Sequence, residues 1–178
     1  MARSPNFVAM IVLSMLIVPV AIAKDKPKLP DWYLVDEVIV DEAPDYRSDI
    51  FFADKSSVRN IDGLTSISVS QIVMAETNAG DNEISRIRDI RSTILIDCHK
   101  HMYAAMELTE FDGNEKLIRS ETQSRAFAKW ILPYADSGYV SVFRFACEPD
   151  QEFGSQEFPG HIQPLTAFKA YLNADWSK

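Results

Sequence analysis

The sequence holds few of the residues and motifs on which enzymes depend. Only two cysteines and three histidines occur among its 178 residues. It contains no Ser-His-Asp set, no G-x-S-x-G nucleophile turn, no phosphate-cradling glycine loop and no dinucleotide fingerprint. We therefore expect a protein that is not an enzyme and that binds no cofactor.

Long apolar runs are also lacking, apart from one at the amino terminus. After MARSPN, residues 7–20 carry no ionisable group, and Ala21, Ile22 and Ala23 follow. The run is shorter than the roughly 20 residues that span a bilayer, and its small-residue end suits signal-peptide cleavage. We predict a signal peptide over residues 1–23 and an exported, periplasmic or secreted protein without stable membrane insertion. The alternative is that the run is not cleaved and anchors the protein in the membrane. A lipid anchor is not expected, because no cysteine directly follows the run to carry the lipid.

Positive charge is scarce, with 18 Lys and Arg against 26 Asp and Glu and a net charge of −8. This charge repels nucleic acids and anionic membranes, so we expect a protein partner and no nucleic acid. The charge does not determine the oligomeric state.

The two cysteines, Cys98 and Cys147, are predicted to form a disulfide, because an exported protein meets an oxidising compartment. Closing a loop of about 49 residues would restrict the unfolded chain by roughly 4 kcal/mol in the chain-entropy model. A catalytic thiol is the weaker alternative, since it needs a lowered pKa and a positioned base.

Alternating side chains predict an antiparallel sheet, preceded by an extension at residues 24–49 that holds one short strand at WYLV or EVIV. In LTSISVSQIVM, residues 64–74, Ile67, Val69 and Val73 share one face, and three serines share the other, which we expect to be wet. IFFAD, STILI and LIRSE also have strand composition, with turns at IDG and FDGNEK. KWILP is predicted to be a short strand ended by its proline.

Three further segments carry helical signals. HMYAAMELTEF fits a helix, but its alternation also fits a strand with four apolar residues on one face: Met102, Ala104, Met106 and Leu108. ADSGYVSVFRFAC offers a cap at Asp136 or Ser137, yet its composition has strand propensity. PLTAFKAYLNADW predicts an amphipathic C-terminal helix, with apolar residues at helical spacing: Leu165, Phe168, Leu172 and Trp176.

In their order and spacing, several of these segments resemble the surface-adhesin protein E-like family of exported bacterial domains. The similar segments lie within residues 50–147 and read FFADKSSVRNIDG, LTSISVSQIVM, RSTILIDC, YAAMELTEFDG and KWILPYADSGYVSVFRFAC. The positions that fit the family pattern are Phe52, Asp54, Ser57, Ser92, Cys98, Trp130, Pro133, Ser137 and Cys147. Tyr134 and Ala135 depart from it, since a glycine is common there.

The resemblance implies an α+β fold, in which an antiparallel sheet is crossed by a helix that the Cys98–Cys147 bond tethers to the sheet. It therefore favours a helix over residues 137–147. The adhesin E-like domain would span residues 50–147, followed by a linker and the C-terminal amphipathic helix over residues 148–178. Members resembling the namesake bind host extracellular-matrix or serum proteins. The resemblance thus implies a protein-binding role, and the alternative is a periplasmic accessory protein, an inhibitor or assembly factor, acting on a bacterial envelope partner.

One cluster has the chemistry of metal ligands. Cys98, His99 and His101 offer sulfur and nitrogen donors within four residues. A disulfide would remove Cys98 from such a set, so we interpret the histidines as surface residues and predict no metal site.

A second cluster suggests where a partner binds. Arg86, Arg88 and Arg91 crowd into six positions, and arginine is well suited to binding carboxylates. We name these arginines as candidate partner-binding residues, with Tyr103 and Tyr139 as aromatic anchors. The structural alternative is that the arginines pair with Asp89 or Asp97.

Overall fold

The computed structural model describes residues 28–40, 47–75, 86–135, 137–148, 156–157 and 161–172. The predicted signal peptide and the predicted cap Asp136 lie outside these residues. The described elements, in chain order, are β1 (Trp32–Val40), β2 (Arg47–Ile61), β3 (Leu64–Ala75), β4 (Ile87–Asp97), β5 (Met102–Asp112), β6 (Leu117–Thr122), α1 (Tyr139–Cys147), β7 (Gln156–Glu157) and α2 (Pro164–Leu172). A 3-10 turn at Arg125–Phe127 lies between β6 and α1.

The strands form one antiparallel sheet in the order β6-β5-β4-β3-β2-β1-β7. Strands that follow one another along the chain are neighbours from β1 to β6, because antiparallel pairs need only short connections. At the β2–β3 connection Asp62 and Gly63 both have positive φ, of 51° and 82°. Asp and Gly tolerate this conformation, so the turn predicted at IDG is confirmed.

The sheet is buried on both faces, with one helix on each side. Neighbouring residues of β2 point in opposite directions, so Phe51 packs under α1 while Phe52 packs under α2. The α1 side buries, in addition, Ala53, Ile67, Val69, Ile94, Ile96, Val142, Phe143 and Ala146. The α2 side buries Trp32, Ile72, Ile87, Leu165 and Phe168. The α+β class, the helix ending at Cys147 and the C-terminal helix are thus confirmed.

Cys98 and Cys147 form the predicted disulfide, with their Cα atoms 5.7 Å apart. Cys98 directly follows β4, and Cys147 is the last residue of α1. The bond therefore fixes the C-terminal end of α1 to one end of the sheet, as the resemblance implied.

The serine face of β3 differs from its prediction as a wet surface. Ser70 is fully buried and Ser66 nearly so. The reason is α2, which places Leu165 and Phe168 on this side of the sheet beside Ile72. Ser70 is tolerated there because its hydroxyl donates a 2.8 Å hydrogen bond to Asp89 Oδ1.

Two details of β5 and its edge were also predicted wrongly. A bulge at Met106 inserts an extra residue, so Ala104 and Leu108 fall on opposite faces despite their even spacing.

KWILP is no strand, since Ile131 makes only an isolated bridge to Tyr103. Because β6 already occupies the β5 edge from Glu107 to Phe111, only the end near Tyr103 is left for pairing.

The part of the chain that the structure describes has no helix long and apolar enough to cross a membrane.

Candidate functional site

A cleft of about 280 Å³ opens where the first turn of α1 meets the sheet. Helix α1 has nine residues and a length of about 13 Å, so it covers only part of the long strands β2 and β3. Beyond its N-terminal end the sheet face is left without a helix. The polar and aromatic residues that line the cleft there include Arg47, Asp49, Gln71, Tyr103, Ser137 and Tyr139.

Two stacked tyrosines form one wall of the cleft. The rings of Tyr103, on β5, and Tyr139, the first residue of α1, are nearly parallel, 9° apart in angle, with centroids 4.7 Å apart. Phe51 meets the Tyr139 ring edge-on at 5.3 Å. Burial raises the pKa of Tyr103, and burial together with Tyr103 and Asp49 raises the pKa of Tyr139 to about 12. Both phenols therefore stay neutral at physiological pH and serve as packing surfaces and hydrogen-bonding groups.

Asp49 supplies the buried polar group of the cleft. Its Oδ2 accepts a 3.2 Å hydrogen bond from Arg47 Nε, whereas no described group, the neighbouring Gln71 side chain included, donates to its buried Oδ1 within hydrogen-bonding distance and angle. The residue is only 5% exposed. Burial raises the pKa of the Asp49 carboxyl, although Arg47 and Gln71 pull it in the opposite direction. The cleft thus holds a largely dehydrated carboxylate with one oxygen unused.

The Ser137 hydroxyl is a second buried polar atom without a described partner. Ser137 was predicted as a possible cap, but the N-cap of α1 is Gly138, and no side chain caps it. Instead, the backbone N–H of Ser137 donates to the carbonyl of Tyr134, which turns the chain into the helix. The hydroxyl is therefore left at the edge of the cleft.

The structure brings only some of the predicted partner-binding residues together. Tyr103 and Tyr139 share the cleft. Asp49 on β2 pairs with Val73 on β3, and Val73 pairs with Arg88 on β4. Arg88 therefore lies on the same face of the sheet as the cleft. Arg91 lies on the opposite face, because it follows Arg88 by three positions and side chains alternate along a strand. The three arginines do not form one continuous stripe.

Arg91 neutralises a buried carboxylate on the α2 side. Its Nε donates to Asp89 Oδ2 at 2.7 Å, and its guanidinium lies over the Phe111 ring at 4.4 Å. Asp89 is fully buried. This ion pair with Asp89 is the structural alternative to partner binding that was predicted for the arginines. Arg86 precedes β4, and its buried Nε has no described hydrogen-bond partner.

The histidines lie in the β4–β5 turn and not on a strand. Cys98 belongs to the disulfide, and the backbone N–H of His99 donates to Asp97 Oδ1. His101 adopts a positive φ of 54° and stacks on Phe143, with ring centroids 5.1 Å apart. Within the ranges that the structure describes, no group of three or more His, Cys, Asp or Glu side chains is placed to hold a metal ion.

Large apolar side chains are exposed next to the cleft. Ile131, which bridges Tyr103, is 36% exposed, Leu132 61% and Tyr134 80%. Tyr134 lines the cleft itself, while Leu132 and Pro133 line a neighbouring cleft of about 370 Å³ together with His101, Phe143 and Arg144. A soluble domain rarely exposes such side chains side by side unless they contact something.

Asp49 and Arg47 were missed by sequence reasoning. The sequence RSDIF did carry a signal, since Arg47, Asp49 and Phe51 alternate and must share a strand face. Phe51 is buried under α1, whereas Asp49 lies just past the N-terminal end of this helix. This difference depends on where α1 begins. No local pattern reports this position.

The sequence markers of the resemblance have structural roles. Asp54 Oδ1 accepts hydrogen bonds from the backbone of Asp31, and from the backbone and hydroxyl of Ser56, at 2.7–2.9 Å. Ser57 Oγ donates to the Asp54 carbonyl and accepts from the Ser68 N–H. These bonds hold the irregularity between Asp54 and Arg59, where β2 shifts its register against β3.

Comparison with known families agrees with this architecture. No curated protein and no solved structure matches the chain. The family model described as "Surface-adhesin protein E" matches residues 32–148, from the first residue of β1 to the residue after α1. The matched region contains the sheet from β1 to β6, the cleft and the disulfide, and on this basis the chain belongs to the surface-adhesin protein E family.

Proposed function

We propose that this protein is a non-enzymatic exported domain that binds a host extracellular-matrix or serum protein. Family membership supports an adhesin-like role at the bacterial surface. The observation that carries the proposal is the exposed apolar surface formed by Ile131, Leu132 and Tyr134, which borders the tyrosine cleft. We call these three residues the exposed triad.

The composition of this surface supports protein binding. Aromatic side chains are enriched in the energetically dominant positions of protein interfaces. Tyr134 of the exposed triad would provide such an anchor beside the polar centre formed by Asp49 and Ser137. The tyrosines of the cleft are neutral and both cysteines are bonded to each other, so the groups at this surface are suited to recognition.

The predicted role of the arginines forms part of this proposal. Arg88 is the informative residue, because it shares the cleft's face of the sheet. Replacing Arg91 would leave the buried Asp89 carboxylate without its ion pair and would confuse binding with folding. We expect Arg88→Ser to weaken partner capture and to reduce its sensitivity to salt.

Capture experiments test the proposal. The immobilised protein is exposed to host serum, matrix extract and bacterial envelope extract, and bound proteins are identified. We expect saturable binding of a host protein that is lost when the exposed triad is changed to Ser. The matched control is Leu29→Ser with Ile39→Ser, since these side chains are 67% and 72% exposed elsewhere. Equal loss in the control would reject the triad as the binding surface.

Location separates the main proposal from its alternative. Antibody labelling of intact cells is expected for an adhesin. Labelling only after the outer membrane is permeabilised, with capture of an envelope protein, would instead support a periplasmic accessory protein.

A further inference from the structure

The unused oxygen of Asp49 indicates what kind of group the cleft receives. A buried carboxylate oxygen without a hydrogen-bond donor is costly, by about 1–3 kcal/mol or more. Most buried polar atoms in proteins are paired, and exceptions cluster at functional sites. The pKa of Asp49 remains raised despite the neighbouring guanidinium, so Arg47 does not fully compensate the charge. The site is therefore suited to a donor that arrives with a partner.

The walls of the cleft fit a long aliphatic stem. Val38, Val40 and Phe51 line it together with the tyrosines. At about 280 Å³ it lies just below the usual range of about 300–1,000 Å³ for pockets that bury drug-sized molecules. One side chain fits such a volume better than a cofactor. Tyr134 at the rim offers an exposed ring face, which attracts cations.

We propose that the cleft receives a lysine or arginine side chain of the partner protein, whose charged head donates a hydrogen bond to Asp49 Oδ1. The proposal rests on the protein-binding function argued above and specifies the chemistry of its central contact. The aliphatic stem packs against the valines and tyrosines, as long basic side chains do on apolar surfaces. The Ser137 hydroxyl is available as a second partner for the head group.

Charge favours a cation over an anion at this position. An anion would lie next to the Asp49 carboxylate, and Arg47, the ion-pair partner of Asp49 among the described residues, is already engaged with it at 3.2 Å. The chain as a whole carries a net charge of −8, which attracts basic partners and raises their rate of association. The acceptor oxygen of Asp49 that receives no described donor, together with the overall charge, thus favours a basic ligand.

Small probes test this contact without knowledge of the partner. The folded protein is labelled with ¹⁵N and titrated with Nα-acetyl-arginine methylamide, and its citrulline counterpart serves as the uncharged analogue. We expect saturable amide shifts confined to the cleft, around Asp49, Gln71 and Ser137 to Tyr139. Citrulline should bind at least about tenfold more weakly, because it lacks the charge that strengthens a hydrogen bond to carboxylate.

Asp49→Asn removes the charge and keeps the shape of the side chain. We expect it to lower the affinity for the arginine probe at least about tenfold. Glu121→Gln is the matched control, since it removes one negative charge from an exposed position on β6 and should bind the probe like the parent. The amide spectrum of each variant shows whether it is folded.

A titration of the parent protein at several pH values needs no variant. Binding should weaken as the pH falls and Asp49 takes up its proton. Among the described residues, the other titratable groups that line the cleft are Arg47, Tyr103, Tyr134 and Tyr139, and Arg88 lies on the same face of the sheet. Arginine and tyrosine do not change charge in the acidic range.

Three results would overturn the proposal. They are equal affinity for arginine and citrulline, unchanged binding in Asp49→Asn, and the same set of shifts produced by sodium sulfate. These results are judged on Asp49, and within the exposed triad only Tyr134 lines the cleft, so they would leave the capture experiments valid. Conversely, absence of saturable capture by the parent protein, together with normal probe binding, would reject the protein-binding function and not the contact between Asp49 and a basic group.

Discussion

Gly138 lies so close to the ring of Phe51 that a Cβ atom at position 138 would overlap the ring carbons. Gly138 is the N-cap of α1 and has ordinary helical dihedral angles, with φ −56° and ψ −15°. Glycine is therefore required here for space and not for backbone conformation. The contact sets how closely α1 approaches β2, and with it the depth of the neighbouring cleft.

We predict that Gly138→Ala destabilises the fold, because the buried Phe51 ring cannot move aside freely. Overpacking of this kind costs typically about 1–3 kcal/mol. Urea denaturation at pH 7 measures the change in the free energy of unfolding. Combining the variant with Phe51→Leu provides the control. Leucine is smaller than phenylalanine and leaves space for the new Cβ atom, so the double variant should lose less stability than the sum of the two single losses. Strict additivity would show that the ring contact is not the cause.

The disulfide gives a second prediction. Cys147→Ser should lower the free energy of unfolding by about 4 kcal/mol, because the unfolded chain loses the closure of its 49-residue loop. For a domain of this size each kcal/mol lowers Tm by about 2–4 °C. Thermal melts of parent and variant under oxidising conditions measure the difference. A reductant should lower the Tm of the parent alone, and equal melting temperatures of the two oxidised proteins would contradict the prediction.

Asp54 provides a third prediction, which separates a structural marker from a binding residue. Asp54→Ala would leave the N–H groups of Asp31 and Ser56 without their acceptor. Each unsatisfied buried group costs about 1–3 kcal/mol. We expect a loss of several kcal/mol in urea denaturation, and a smaller loss for Asp54→Asn, which keeps one acceptor oxygen. If Asp54→Ala instead reduced partner capture while leaving stability unchanged, the role assigned to Asp54 would be wrong.

The strands were predictable because their signal is local. The alternation in residues 64–74 and the β-branched run STILI each identify a strand without reference to the rest of the chain. The bulge at Met106 escaped prediction, because nothing in MYAAMELTE marks an extra residue, and it depends on pairing with both β4 and β6. Burial of the serine face similarly depends on α2, which follows about 100 residues later.

The candidate site was predicted only in its aromatic half. Tyr103 and Tyr139 were named as anchors, and the disulfide places α1 so that their rings stack. Asp49 could not be recognised in the same way, because an acidic residue in a strand is usually solvated. Its significance comes from burial past the end of a helix, which is a property of the tertiary structure.

Two aspartates allow a last prediction, about how stability depends on pH. The pKa of Asp49 is raised in the folded protein, mainly by burial. The folded state therefore holds this proton more tightly than the unfolded state, and stability falls as the pH rises from the unfolded pKa of about 3.9 through the folded pKa. Asp97 is the opposite case, since backbone N–H groups and Lys100 lower its pKa. Its contribution is present above the unfolded pKa and is lost as the pH falls through the folded pKa.

Replacing each aspartate by asparagine should therefore shift stability in opposite directions. Relative to the parent, Asp49→Asn should gain stability as the pH rises from about 3.9 through the raised pKa of Asp49, whereas Asp97→Asn should lose stability as the pH rises from the lowered pKa of Asp97 to about 3.9. Urea denaturation at closely spaced pH values measures both differences in the free energy of unfolding. If the Asp49→Asn difference did not change with pH, its carboxyl would titrate as in the unfolded chain. The cleft would then hold a well-solvated carboxylate, and the argument that a partner's basic group relieves its burial would lose its basis.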